Sequence, residues 1–181
     1  MDFTARNRLF LPRFSGPAET LYLLRYQTWG HHALAFYRDG QLTEFTYGDW
    51  QLFALMQRDI YTSVKNMLIP TQGALGRKQV PWKIGQDMRP LFHQLEKVLT
   101  LQVPADKSQA LWQTLNNAFI KGRNQQVLNA RDQVWFVPYP VPYSLLNNCN
   151  HELVKWLEFL GCEVHGRIFW NPDLIKGVQN N

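Results

Sequence analysis

Cys149 and His31 are the residues best placed to do chemistry in this sequence, and together they would make a thiol nucleophile with its base. Cys149 follows Asn147 and Asn148, either of which can cap a helix, and stands four residues before Leu153 in a run where Leu153, Trp156, Leu157 and Leu160 share one helical face. The thiol is therefore expected in the first turn, on the core side, where free backbone N–H groups and the helix dipole favour a thiolate. That predicts an apparent pKa below the free-thiol value of about 8.5. Glu152, in the same turn, acts in the opposite sense. The alternative is a packed, inert Cys149, because free cysteines are among the most buried residue types.

The base comes from a predicted hairpin. Asp39-Gly40 is a two-residue turn signal, which sets Arg38 against Gln41, Ala35 against Glu44, Ala33 against Thr46 and His31 against Gly48. One face then carries His31, Ala33, Ala35, Glu44 and Thr46; the other carries His32, Leu34, Phe36, Phe45 and Tyr47. The small residues of the first face suggest a seat for the Cys149 helix, with Glu44 or Thr46 orienting the His31 ring. A one-residue register change would exchange the faces and promote His32. The backbone N–H of Cys149, aided by the Asn148 side chain, is the expected oxyanion donor.

No His-x-x-x-His, His-Glu-x-x-His or glycine-rich phosphate loop occurs, and the two cysteines lack metal-ligand spacing, so no metal and no cofactor are expected. Two cysteines are also too few for a disulfide framework.

The elements that must position these residues follow from pattern. Leu21–Tyr26, His31–Tyr37 and Leu42–Tyr47 read as extended, and Asp49–Met67 as a helix capped by Asp49. Pro70–Gly85 and Pro138–Pro142 read as loops. Residues 94–103 end as a strand, Ala105–Phe119 forms a helix and Asp132–Val137 an aromatic strand. A last helix runs from Cys149 to its stop at Gly161, with Glu163–Trp170 extended beyond it. The hairpin, the strand near Val134 and the C-terminal strand are expected to share one antiparallel sheet, with the Cys149 helix on its Ala33/Ala35 face.

With 181 residues, 45% hydrophobic and 18% charged, the chain is expected to fold as one α+β domain over 1–181. The net charge of +5 is spread rather than clustered, which ranks nucleic acid well below other partners. No signal-peptide pattern and no run of eighteen apolar residues occur, so a cytoplasmic protein is expected.

Two strings carry a resemblance. Trp29-Gly30-His31-His32-Ala33-Leu34-Ala35-Phe36, followed by Glu44-Phe45-Thr46-Tyr47-Gly48-Asp49, resembles the His-bearing hairpin of circularly permuted NlpC-like papain-fold proteins. Tyr143-Ser144-Leu145-Leu146-Asn147-Asn148-Cys149-Asn150 is similar to the Asn-Cys-Asn motif of the PPPDE thiol peptidases. The same order of His and Cys is implied for lecithin:retinol acyltransferase-like proteins and for a bacterial family of unknown function sometimes encoded near urease genes, which looks nearest. The resemblance implies a small antiparallel sheet packed against helices, with Cys149 as nucleophile and His31 as base. It also implies a cysteine hydrolase or acyltransferase acting on a peptide, an isopeptide or a lipid ester, with peripheral membrane contact left open. Glu152 stands where PPPDE members commonly have an aromatic residue, which argues against peptidase action on a ubiquitin-like modifier. The alternative is an inactive papain-fold module that binds a peptide or lipid.

Overall fold

The computed structural model describes residues 8–27, 31–57, 69–165 and, for the backbone alone, 178–179. Within them the chain is α+β. A large antiparallel sheet uses β2 (Ala18–Tyr26), β3 (His32–Arg38), β4 (Gln41–Asp49), β5 (Thr71–Pro81), β6 (Leu95–Pro104), β7 (Val127–Asn129) and β8 (Val134–Tyr143) in the order β6-β2-β3-β4-β5-β8-β7. A small sheet pairs β1 (Arg8–Phe10) with β9 (Glu163–His165) on one side and β10 (Val178–Gln179) on the other. Two α-helices are described, α1 (Ala105–Lys121) and α2 (Cys149–Phe159).

The β3–β4 hairpin adopts the predicted register, with Arg38 opposite Gln41, Ala35 opposite Glu44 and Leu34 opposite Phe45. Asp39 (φ 50°) and Gly40 (φ 75°) both take the left-handed conformation that such a two-residue turn requires. The helices do not lie where the side-chain sizes suggested. Leu34, Phe36, Phe45, Tyr47 and Leu75 share one apolar core with Leu111, Leu115 and Phe119 of α1 and with Leu153, Trp156 and Leu157 of α2. The Cys149 helix therefore packs on the Leu34/Phe36 face, a correction to the Ala33/Ala35 seat. The reason is steric: the small face is filled by Trp82, Met88 and Phe92 from the segment between β5 and β6, whose bulky side chains need the room that alanines leave.

Three further expectations are corrected. The predicted loop from Pro70 is mostly strand β5, inserted between β4 and β8. Its glycines fit close approaches, since a Cβ on Gly76 would meet Phe136 and Thr46 at 2.6 Å. Strand β8 likewise continues through Pro138, Pro140 and Pro142 to Tyr143. These prolines lie beyond Phe136, the last residue β7 pairs, where that edge has no ladder to interrupt. The C-terminal strand joins β1 in the small sheet rather than the hairpin sheet.

Of the predicted Asp49–Met67 helix, Trp50–Ala54 forms one wide turn closed by Leu55 N–H to the Trp50 carbonyl at 3.0 Å. Met56 then takes φ 55°, which ends it; residues 58–68 lie outside the described residues. Residues 166–170, assigned to the extended tail, also lie outside them. Among the described residues no helix is long and apolar enough to cross a membrane.

Candidate functional site

Cys149 is the first residue of α2, and the predicted cap is present. The Asn148 side-chain oxygen accepts from the N–H groups of Asn150 at 3.0 Å and His151 at 3.3 Å, and His151 reaches back to the Asn148 backbone in a capping box. Capping uses the side-chain oxygen of Asn148, whereas the expected oxyanion contact would be made by its amide NH2 group, so the cap and that role are separate. The backbone N–H groups of Asn150 and Cys149 lie close enough to the sulfur to favour its charged form.

A tyrosine cluster begins beside the thiol. Tyr143 lies within electrostatic range of Cys149, and its ring packs against Tyr47 with centroids 5.8 Å apart; Tyr139 also packs on Tyr47, at 5.9 Å. The Tyr47 hydroxyl donates to the Val141 carbonyl at 3.1 Å. Asp49, two residues along β4, is fully buried; it accepts from Leu52 N–H at 2.8 Å and from the Thr71 hydroxyl, tying β4 to β5 at this end. Glu152, one turn after Cys149, is buried and bonded to Lys155 at 3.0 Å.

Cys149 is half-buried, and this partial enclosure overturns one expectation. Burial pushes the Cys149 thiol up to about 11, outweighing the N–H groups of Asn150 and Cys149 that pull it down. Cys149 therefore rests as a neutral thiol. Its alkylation by iodoacetamide is expected to climb with pH through about 11, with Cys162, pushed by burial to about 12, reacting still later. A rate that levels off below pH 8.5, measured by mass spectrometry of the native protein, would contradict this enclosure.

His31 is not brought to Cys149. Its Nε2 lies 2.6 Å from the Thr46 hydroxyl, and its ring packs on Phe53 at 5.2 Å and Tyr26 at 5.9 Å. Thr46 belongs to the face that carries Ala33 and Ala35, so His31 and Cys149 stand on opposite sides of the sheet. Burial pushes His31 down to about 3, with the neighbouring His32 acting in the same direction, so the ring is neutral at physiological pH.

His31 and Thr46 instead join a buried polar cluster. Glu44, directly opposite Ala35, is buried, and its Oε1 accepts from the Tyr26 hydroxyl at 2.8 Å rather than orienting His31. Burial pushes Glu44 up to about 7 and holds Tyr26 well above its ordinary range.

The histidine on the thiol side is His32, 3% exposed. It precedes Leu34 by two residues on the face that α2 covers. The β3–β4 ladder ends at Leu34–Phe45, and His32 lies two residues past that end, on the face that carries Phe45 and Tyr47, the ring that packs against Tyr143. Sequence reasoning missed Tyr143 beside the thiol, with Tyr47, Asp49 and Thr71 adjoining it, and Tyr26, Lys78 and Asp132 on the other face. The alternation that puts Asp49 on the bulky face with Phe45 and Tyr47 was the available signal; the β5 and turn residues had none, since their strand was hidden.

Among the described residues no group of three or more His, Cys, Asp or Glu is placed to hold a metal ion. Comparison with protein-family models, with curated proteins and with solved structures gives no match to this chain, and the functional reading rests on residues and geometry.

Proposed function

We propose that this chain is a thiol-dependent hydrolase or acyltransferase of the circularly permuted papain-like kind, with Cys149 as nucleophile and His32, in place of His31, as its base. The observation that carries the reading is the face assignment: a buried histidine at the start of β3 and a cysteine at the start of α2 lie on the same covered side of the sheet. Order along the chain supports it too, since the histidine hairpin precedes the Asn-Cys-Asn helix start as the resembling families imply.

The chemistry follows from the neutral resting state. His32 takes the thiol proton as sulfur attacks the carbonyl of an amide or ester, and the oxyanion is met by the Cys149 N–H at the helix start. Collapse breaks the carbon–oxygen or carbon–nitrogen bond, and the leaving group departs with the proton held by His32. Water, or a second acceptor, then releases the acyl group from sulfur and restores the thiol.

The raised thiol pKa favours a second reading, a papain-like module that binds a peptide or lipid beside Cys149 without turnover. Incubation with an activated acyl ester separates them. The catalytic reading expects one acyl group by intact mass, mapped to Cys149, and none in Cys149→Ser. Acylation that persists in Cys149→Ser, or its absence from the native protein, selects the binding module.

A further inference from the structure

We propose that Glu44 and Lys78 form a proton-controlled latch on the sheet face opposite the thiol: with Glu44 neutral, Lys78 fastens the pieces that cover this face, and ionisation of Glu44 draws its ammonium away from them. Glu44 sits in the middle of β4 and is 3% exposed. Its Oε1 is bonded to Tyr26, but its Oε2 is buried with no hydrogen-bond partner. Such an oxygen is tolerable on a neutral acid and costly on a carboxylate.

A counter-ion is at hand and engaged elsewhere. Lys78 lies directly opposite Glu44 in the β4–β5 ladder, so the two side chains share a face within cross-strand reach. Its Nζ nevertheless donates to the Asp132 carbonyl at 3.2 Å and stands over the Phe92 ring, 5.2 Å from its centroid. Asp132 belongs to the turn between β7 and β8, and Phe92 to the segment that buries Ala33 and Ala35. One ammonium thus ties two covering pieces to the sheet, and a charged Glu44 offers it a stronger partner.

The other groups that face Glu44 do not compete. Tyr26 and Tyr22 of β2 are held above their ordinary range chiefly by burial, and His31, ahead of β3, is neutral with a pKa pushed to about 3. Asp132 adds negative charge that favours the neutral acid, while Lys78 favours the carboxylate. The charged side chains of the covering segment, Lys83, Asp87, Arg89 and His93, are exposed. Burial pushes Glu44 to about 7, which sets the latch near neutrality.

Hydrogen exchange of the full chain tests this, read at amides 82–95 and 129–134 and corrected for the intrinsic effect of pH. In the native protein these amides should exchange about tenfold faster at about pH 8.5 than at about pH 5.5. Glu44→Gln should keep them slow at both values, and Lys78→Met, which has no ammonium to fasten them, should leave them fast at both. A native protein without the step, a Glu44→Gln variant that keeps it, or a Lys78→Met variant that keeps it would each overturn the latch.

Discussion

Replacing His32 by alanine is expected to slow acylation of Cys149 by an activated ester about 10²–10⁴-fold, whereas His31→Ala leaves it within a few-fold of the native rate. The contrast arises because Cys149 is partly enclosed. A thiol held near 11 has little thiolate at neutral pH, so attack requires a base that accepts the proton as the sulfur–carbon bond forms. His31 is ill placed to serve, for it is bonded to Thr46 on the opposite face of the sheet and burial makes its ring a weak base. His32 lies on the α2 side of the sheet, the side that also carries the Tyr47–Tyr143 pair, whose Tyr143 adjoins the thiol. The readout is the rate of acyl-Cys149 formation by intact mass, with melting temperatures and circular dichroism matched among the variants. Equal loss in both single mutants would show that the histidines act through the fold, and no loss in His32→Ala would remove the base.

The second large effect is on stability. Glu44→Gln is expected to stabilise the protein above pH 7 by up to about 3 kcal/mol, and to leave it unchanged near pH 4.5. A glutamate in the unfolded chain releases its proton near 4.5, but in the fold burial delays release to about 7. Between those values the folded state holds more protons, so the native protein loses stability as pH rises through this window and levels off above it. The interval from 4.5 to about 7 corresponds to about 3 kcal/mol, from which recruitment of Lys78 by the carboxylate subtracts. Glutamine copies the neutral acid, keeps an oxygen for the Tyr26 hydroxyl and cannot ionise.

His31 works in the opposite sense. Its folded pKa of about 3 lies below the ordinary 6.5, so protonation of the unfolded chain lowers stability as pH falls from 6.5 toward 3. The two effects oppose each other in the native protein between about 4.5 and 6.5, and Glu44→Gln should unmask the histidine's rise. Urea denaturation at several pH values measures both. A variant less stable than the native protein at pH 8 would mean that the Glu44 carboxylate is well satisfied in the fold.

The parts of this fold that depend on near neighbours could be read from the sequence. Asp39-Gly40 determined a turn, the turn determined the register, and the register correctly separated Ala33, Ala35, Glu44 and Thr46 from Leu34, Phe36, Phe45 and Tyr47. Asn148 announced the helix that Cys149 begins. What could not be read was which layer each face would meet. Alanines accept an incoming helix or the rings of Trp82 and Phe92 equally well, and only the whole core decides between them. That choice is what moves the proposed base from His31 to His32. Strand β5 was hidden because Gly73 and Gly76 look like loop residues until the neighbours that exclude a Cβ are known. The pairing of β9 with β1 rests on contacts between distant segments, which carry no local signal.

That small sheet also orders events during synthesis. The β3–β4 hairpin can close as soon as its two strands have left the ribosome, but Leu9 of β1 is fully buried only in a core that includes Cys162 and packs against Val164, near the far end of the described chain. Until those residues emerge, the β1 segment has no antiparallel partner and the apolar surface around Leu153 and Leu157 lacks that part of its covering. Between the emergence of β1 and that of β9 the nascent chain therefore carries an unpaired strand and an open core, and it is this interval, rather than the finished protein, in which a chaperone would find something to hold.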